Sequence, residues 1–173
     1  FDTPILAAKA QKYRAQGFAV IVDIVLGYLG LEPGCAPSDA MSALKPLLAV
    51  SPSLTSVAAE RFAALLAPGG QNKSDPDSIA ALYGIIEAIL ALHSKDLFPI
   101  LMVVDNAQFM DRLSLEFFQY LFKKGNIKPF FLMAGREFPP ELRKVFQGLK
   151  TMKLGPLEKE DAGTLARLHW PDA

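Results

Sequence analysis

Phe98 to Val104 (FPILMVV) is continuously apolar and stops at a carboxylate, Asp105. Seven such residues are too few for an ordinary helix. The absence of alternation means that no face is reserved for water. This is the pattern of a strand buried on both faces, as in a parallel sheet covered by helices. Phe130 to Ala134 (FFLMA) repeats it. Between the two runs, Asp111 can cap a helix whose apolar positions are Leu113, Phe117, Phe118, Leu121 and Phe122, closed near Gly125. Leu142, Val145, Phe146 and Leu149 then suggest a short helix, Met152 to Leu154 a short strand, and Lys159 to Leu168 a last helix. The order from residue 98 is β-α-β-α-β-α, which argues for an α/β sheet with right-handed crossovers.

The first part of the chain is more helical. Thr3 to Ala8 (TPILAA) reads as a short strand. Phe18, Ile21, Val22, Val25 and Leu29 recur at helical spacing, though their β-branched content would also suit a strand. Gly30, Pro33 and Gly34 close that segment. Ser38 can cap a helix through Met41, Leu44, Leu47 and Leu48, with Pro46 expected to kink or shorten it. Ser51-Pro52-Ser53 is a turn. Val57, Arg61, Phe62, Leu65 and Leu66 form the next helical pattern, ending at Pro68-Gly69-Gly70. Gly69 to Asp77 (GGQNKSDPD) reads as a polar loop. Asp75-Pro76 is a helix start, with proline where its missing N–H costs nothing. Ile79, Leu82, Tyr83, Ile86, Ile89, Leu90 and His93 make the apolar face that follows.

Composition narrows the function classes. The 173 residues carry 18 basic and 18 acidic side chains, and 51% are hydrophobic. That balance excludes a disordered polar chain and a polybasic arm that binds nucleic acid by counterion release. One cysteine cannot form an internal disulfide or a Cys-rich zinc site, so a reducing compartment is the simpler expectation. The run Phe18 to Leu31 is interrupted by Asp23 and is shorter than the ~20 residues a spanning helix needs. Ala8-Lys9-Ala10 lacks the basic start and apolar core of a signal peptide. The expectation is a cytoplasmic chain with no membrane contact and no direct nucleic-acid binding.

The chemistry concentrates in Ile100 to Asp111 (ILMVVDNAQFMD). In open α/β sheets, ligands bind beyond the carboxyl ends of strands. A carboxylate there can hold Mg²⁺ through water, because the ion prefers hard oxygen ligands and keeps part of its hydration shell. The plainer alternative is an aspartate that only helps the next helix start.

The stretch VVDNAQFMDRLSLEFFQYL resembles the Walker B segment of the STAND-type P-loop ATPases, within the wider AAA group. Asp105, Ala107, Gln108 and Asp111 match that family's Asp-Asp-Ala-Gln-Trp-Leu-Asp pattern, with Phe109 in the aromatic position. FFLMAGRE resembles the next strand and its sensor arginine, Arg136. LGPLEKEDAGTLARL resembles the approach to the lid region, and PILAAKAQKY with GFAVIVDIVLGYLGLEPG resembles the second strand and its helix. The resemblance is to ATPase modules of bacterial signalling proteins, including those attached to class III adenylate cyclases and LuxR-type regulators. It implies an incomplete P-loop NTPase-like domain across residues 1–173. Residues 1–97 would hold the second strand and a helical segment, and residues 98–173 Walker B, sensor and the start of the lid. It further implies that Asp105 binds Mg²⁺ on the phosphates of ATP and that Arg136 senses the terminal phosphate. Other domains of the same parent protein would be its partners. Asn106 stands where the family has an acid that orients or deprotonates water. A carboxamide cannot take a proton at neutral pH, so slow or no hydrolysis is expected.

G-x-x-x-x-G-K-[ST], whose backbone and lysine cradle phosphates, does not occur. Gly69-Gly70-Gln71-Asn72-Lys73-Ser74 has no glycine before its lysine and follows a helical pattern. The resemblance places the first strand and the P-loop ahead of Phe1, and makes that strand an interior member of the sheet. Two readings therefore stand beside the ATPase fragment: a non-catalytic interaction scaffold, and an unrelated α/β domain. The remaining residues point to no chemistry. His93 and His169 lack ligand spacing, Cys35 has no evident base, and Lys123-Lys124 and Arg143-Lys144 read as solvated pairs.

Overall fold

The computed structural model describes residues 5–12, 17–52, 54–67, 76–93, 100–124, 129–138, 140–146, 148, 150–156, 158–162 and 164. Strand β1 (Ile5–Lys9) is followed by helices α1 (Ala19–Tyr28), α2 (Pro37–Val50), α3 (Ser56–Leu66) and α4 (Pro76–His93). Then come β2 (Leu101–Asp105), α5 (Arg112–Lys124), β3 (Phe130–Met133) and α6 (Pro140–Val145). The three strands form one open parallel sheet in the order β1-β2-β3. Ile5 pairs with Leu101 and Leu101 with Phe130; at the other end Lys9 lies beside Asp105. The fold is α/β, as the alternating pattern implies, and β1 from the helical half shares its sheet with both later strands.

The sheet departs from the expectation in one respect: it is covered on one face. Leu6, Met102 and Val104 are buried on the face that meets the helices. On the opposite face Ile5 is 61% exposed, Phe130 65% and Leu132 57%. Strand order explains this. Right-handed crossovers that advance in one direction across a sheet place all their helices on the same side. Covering the other face takes a strand whose addition reverses the direction.

The covered side holds a continuous core. Phe62, Phe117, Phe118, Leu44, Leu82, Ile85 and Ile89 are fully buried, each burial stabilising by roughly 1.5–3 kcal/mol. Phe118 makes an edge contact with Phe131 at 5.3 Å, and Tyr83 stacks on Phe117 at 4.6 Å. These rings pin α4 and α5 to each other and to β3. By length and composition α4 is the one described helix able to cross a membrane. Here its apolar positions are built into the core instead.

Local rules explain the helix ends. Gly30, at φ 68°, closes α1: its N–H bonds Gly27 O, and the Leu31 N–H bonds Leu26 O. This is the Schellman pattern, which requires the left-handed conformation glycine accepts. Ser38 is not the cap of α2, because Pro37 takes the first helical position and Ala36 precedes it. Pro46 sits inside α2 without ending it. It is on the exposed face, and so is Ser42, whose carbonyl loses its helical partner and is left to water. Thr55 caps α3, accepting the Ala58 N–H at 3.2 Å. Pro76 opens α4 as the sequence implies, while Asp75, residues 69–75 of the polar loop, and Phe98 and Pro99 lie outside the described residues.

The strand expected over Met152 to Leu154 does not form. The segment pairs with no described strand, and Met152 and Leu154 are 82% and 81% exposed. A helical turn follows: the Ala162 N–H bonds Glu158 O at 2.9 Å.

Candidate functional site

The carboxyl ends of β2 and β3 lie side by side, because the strands are parallel and in register. Asp105 is the last residue of β2, and its side chain is 53% exposed. Its Oδ1 accepts the Asn106 N–H at 2.7 Å, and its Oδ2 lies 3.8 Å from Lys9 Nζ. Lys9 arrives there through sheet register, from the far end of the described sequence. The pair is solvent-exposed and contributes little to stability.

Asn106 adopts the left-handed conformation, φ 54° and ψ 37°. Asparagine tolerates this far better than branched residues do. The reversal starts a 3₁₀ turn, Ala107–Phe109, with the Phe109 N–H bonded to Asn106 O at 2.8 Å. It also turns Ala107 toward β3, where the Ala107 N–H donates to Ala134 O at 2.9 Å. Ala107 is fully buried in that contact.

Gln108 then reaches across to the loop after β3. Its Oε1 accepts the Arg136 N–H at 3.2 Å. Gly135 allows the approach: a Cβ at that position would lie 2.6 Å from Gln108 Oε1. Gln108, Phe109, Arg136, Glu137, Phe138 and Pro140 line an open cleft of about 470 Å³. Among the described residues the Arg136 guanidinium makes no ion pair.

Asp111 closes the turn and does more than cap α5. Oδ1 accepts the Ser114 N–H at 2.8 Å and Oδ2 accepts the Ser114 Oγ–H at 2.6 Å. Oδ1 also accepts the Phe18 N–H at 2.9 Å, at the start of α1. Phe18 is itself left-handed at φ 61°. One carboxylate therefore ties two helix N-termini, where negative charge is favoured.

The structure thus brings Asp105 and Asn106 together on one turn and binds the backbone of Arg136 to that turn. No hydrogen bond or ion pair joins Asp105 to Arg136 directly among the described residues. Among those residues no three His, Cys, Asp or Glu side chains converge as a metal cage. One exposed carboxylate suits a Mg²⁺ ion that takes its other ligands from phosphate and water.

Lys9 and the bridging role of Gln108 were not legible as site features. Sheet register supplied the first and the left-handed turn the second. His93 accounts for itself structurally: Tyr28 Oη and His93 Nε2 are 3.2 Å apart, with the rings edge to face. Burial pushes the Tyr28 phenol up. Burial, then the Asp39 charge, pushes the Cys35 thiol up, which lowers its thiolate fraction and argues against a nucleophile. His169 lies outside the described residues. Comparisons with protein-family models, curated proteins and solved structures find no match.

Proposed function

We propose that this chain is the Walker B and sensor part of an ATP-binding switch module of the STAND type, in a cytoplasmic signalling protein. The observation that carries this reading is the placement of Asp105 and Arg136. Asp105 ends β2 and Arg136 follows the adjacent parallel β3, at the end of the sheet where α/β domains bind ligands, and one turn links them. Bound Mg²⁺ would supply charge neutralisation at the phosphates. Asp105 would hold it through its exposed carboxylate, and the Arg136 fork would meet the terminal phosphate oxygens.

Asn106 has no proton-accepting group, and its turn geometry suits asparagine. The module therefore holds nucleotide rather than turning it over. The uncovered sheet face agrees with the resemblance. A further strand beside β3, with a helix behind it, would cover Phe130 and Leu132 and give residues 151–154 a partner. The phosphate-cradling loop would arrive with that strand.

The test is the parent polypeptide sequence. It should encode a strand and G-x-x-x-x-G-K-[ST] within roughly 20–40 residues before Phe1, the space one strand, loop and helix require. A start codon just ahead of Phe1, with no such loop encoded between them, would sink the reading. The alternative is a non-catalytic scaffold that keeps this architecture for protein contacts. The lack of a G-x-x-x-x-G-K-[ST] loop within the 173 residues, together with Asn106, favours it for the chain as given.

A further inference from the structure

We propose that Gln108 is a positioning residue that sets Arg136 from the same turn that carries Asp105. This rests on the reading that both groups face one ligand. Three features make the arrangement specific. The left-handed Asn106 aims the 3₁₀ turn at β3. The Ala107–Ala134 hydrogen bond fixes the distance between the two loops. Gly135 leaves only enough room for the Gln108 side chain to reach the Arg136 N–H.

Arg136 has no other hydrogen bond or ion pair with a described residue. Beyond Ala134, which the backbone bonds to Ala107 and Val104 hold, the described tie on the Arg136 backbone is the Gln108 amide oxygen of the neighbouring loop. A displacement of the Asp105 turn carries Gln108 with it, and Arg136 follows. Two groups that must engage one phosphate chain are in this way held as a unit, which limits the ordering cost when ligand arrives.

The experiment needs no nucleotide. Backbone amide signals of the 173-residue chain are recorded for wild type, Gln108→Met, Gln108→Glu and Asp105→Asn, and for Asp105→Asn combined with each Gln108 variant. Methionine keeps the length and removes the acceptor; glutamate keeps the acceptor. Exchange of the Arg136 amide should be about five- to tenfold faster in Gln108→Met, the loss of one ordinary hydrogen bond. It should be restored in Gln108→Glu. Asp105→Asn should shift the Arg136 amide resonance in the wild-type and Gln108→Glu backgrounds, and not in Gln108→Met.

A glutamine with only a structural role would leave the Arg136 response to Asp105→Asn unchanged in Gln108→Met. That result overturns the proposal, as does unchanged Arg136 exchange. Because neither readout involves nucleotide, loss of this coupling is distinct from a failure of the parent protein to bind Mg²⁺–ATP.

Discussion

Removing the Asp111 carboxylate should cost more than an ordinary helix cap. It accepts from the Phe18 N–H, the Ser114 N–H and the Ser114 hydroxyl at 2.9, 2.8 and 2.6 Å. Losing a cap to alanine costs about 1 kcal/mol. Ser114 is fully buried, so its stranded hydroxyl adds about 1–2 kcal/mol of unmet desolvation. The Phe18 N–H, at the strained entry to α1, adds about 1 kcal/mol. Asp111→Ala is therefore predicted to lose about 3–4 kcal/mol. Asp111→Asn keeps an acceptor for both N–H groups and loses the charge at two helix N-termini, about 1–2 kcal/mol. Urea denaturation followed by circular dichroism measures both, with the slope unchanged if only stability moves. A cost under about 1 kcal/mol for alanine, or equal costs for both variants, would refute the reasoning.

Four further outcomes follow from the same geometry. Asn106→Val should lose about 1–2 kcal/mol to left-handed strain while Asn106→Gly stays near wild type in the same denaturation assay; equal losses would show the turn is not the constraint. Gly135→Ala should destabilise by about 1 kcal/mol in wild type and much less when Gln108 is also alanine, because the added Cβ meets that side chain at 2.6 Å; additive losses would contradict the clash. Lys9→Met should change stability by under about 0.5 kcal/mol at any salt concentration, since the Lys9–Asp105 pair is exposed; a larger, salt-sensitive loss would place the pair in the stabilising core. Tyr28 should ionise above free tyrosine in an absorbance titration, because burial disfavours its phenolate. A raised folded value means its contribution is present below the unfolded value of 10.0 and is lost as pH rises through the folded one; ionisation at or below the free value would contradict this.

The strands β2 and β3 and the helix between them were legible, because apolar runs, spacing and the Asp111 cap are local signals. The uncovered face was not. A run such as LMVVD looks the same whether one or both faces are covered, since strand order decides coverage and no local pattern encodes it. Met152 to Leu154 shows the converse: its apolar-polar alternation suits a strand, yet a strand needs a neighbour to pair with. Pro46 was expected to kink or shorten its helix, yet α2 runs on through it to Val50, because its exposed position leaves the freed carbonyl to water. Asp105, Asn106 and Arg136 were singled out from sequence as candidates, and the structure puts Asp105 and Asn106 on one turn with the Arg136 backbone bonded to it. The links among them depend on register, on a left-handed turn and on a missing Cβ, and these appear only when the loops are placed side by side.

The central claim is that Asp105 and Arg136 serve one Mg²⁺–nucleotide site completed by a further part of the protein. Calorimetry with Mg²⁺–ATP on the parent polypeptide tests it most directly, beside Asp105→Ala, Arg136→Ala and the 173-residue chain alone. The account predicts Mg²⁺-dependent binding by the parent, weakened at least about tenfold in each variant, and none by the isolated chain at millimolar nucleotide. Parent binding that is indifferent to both substitutions, or no binding at all, would contradict it.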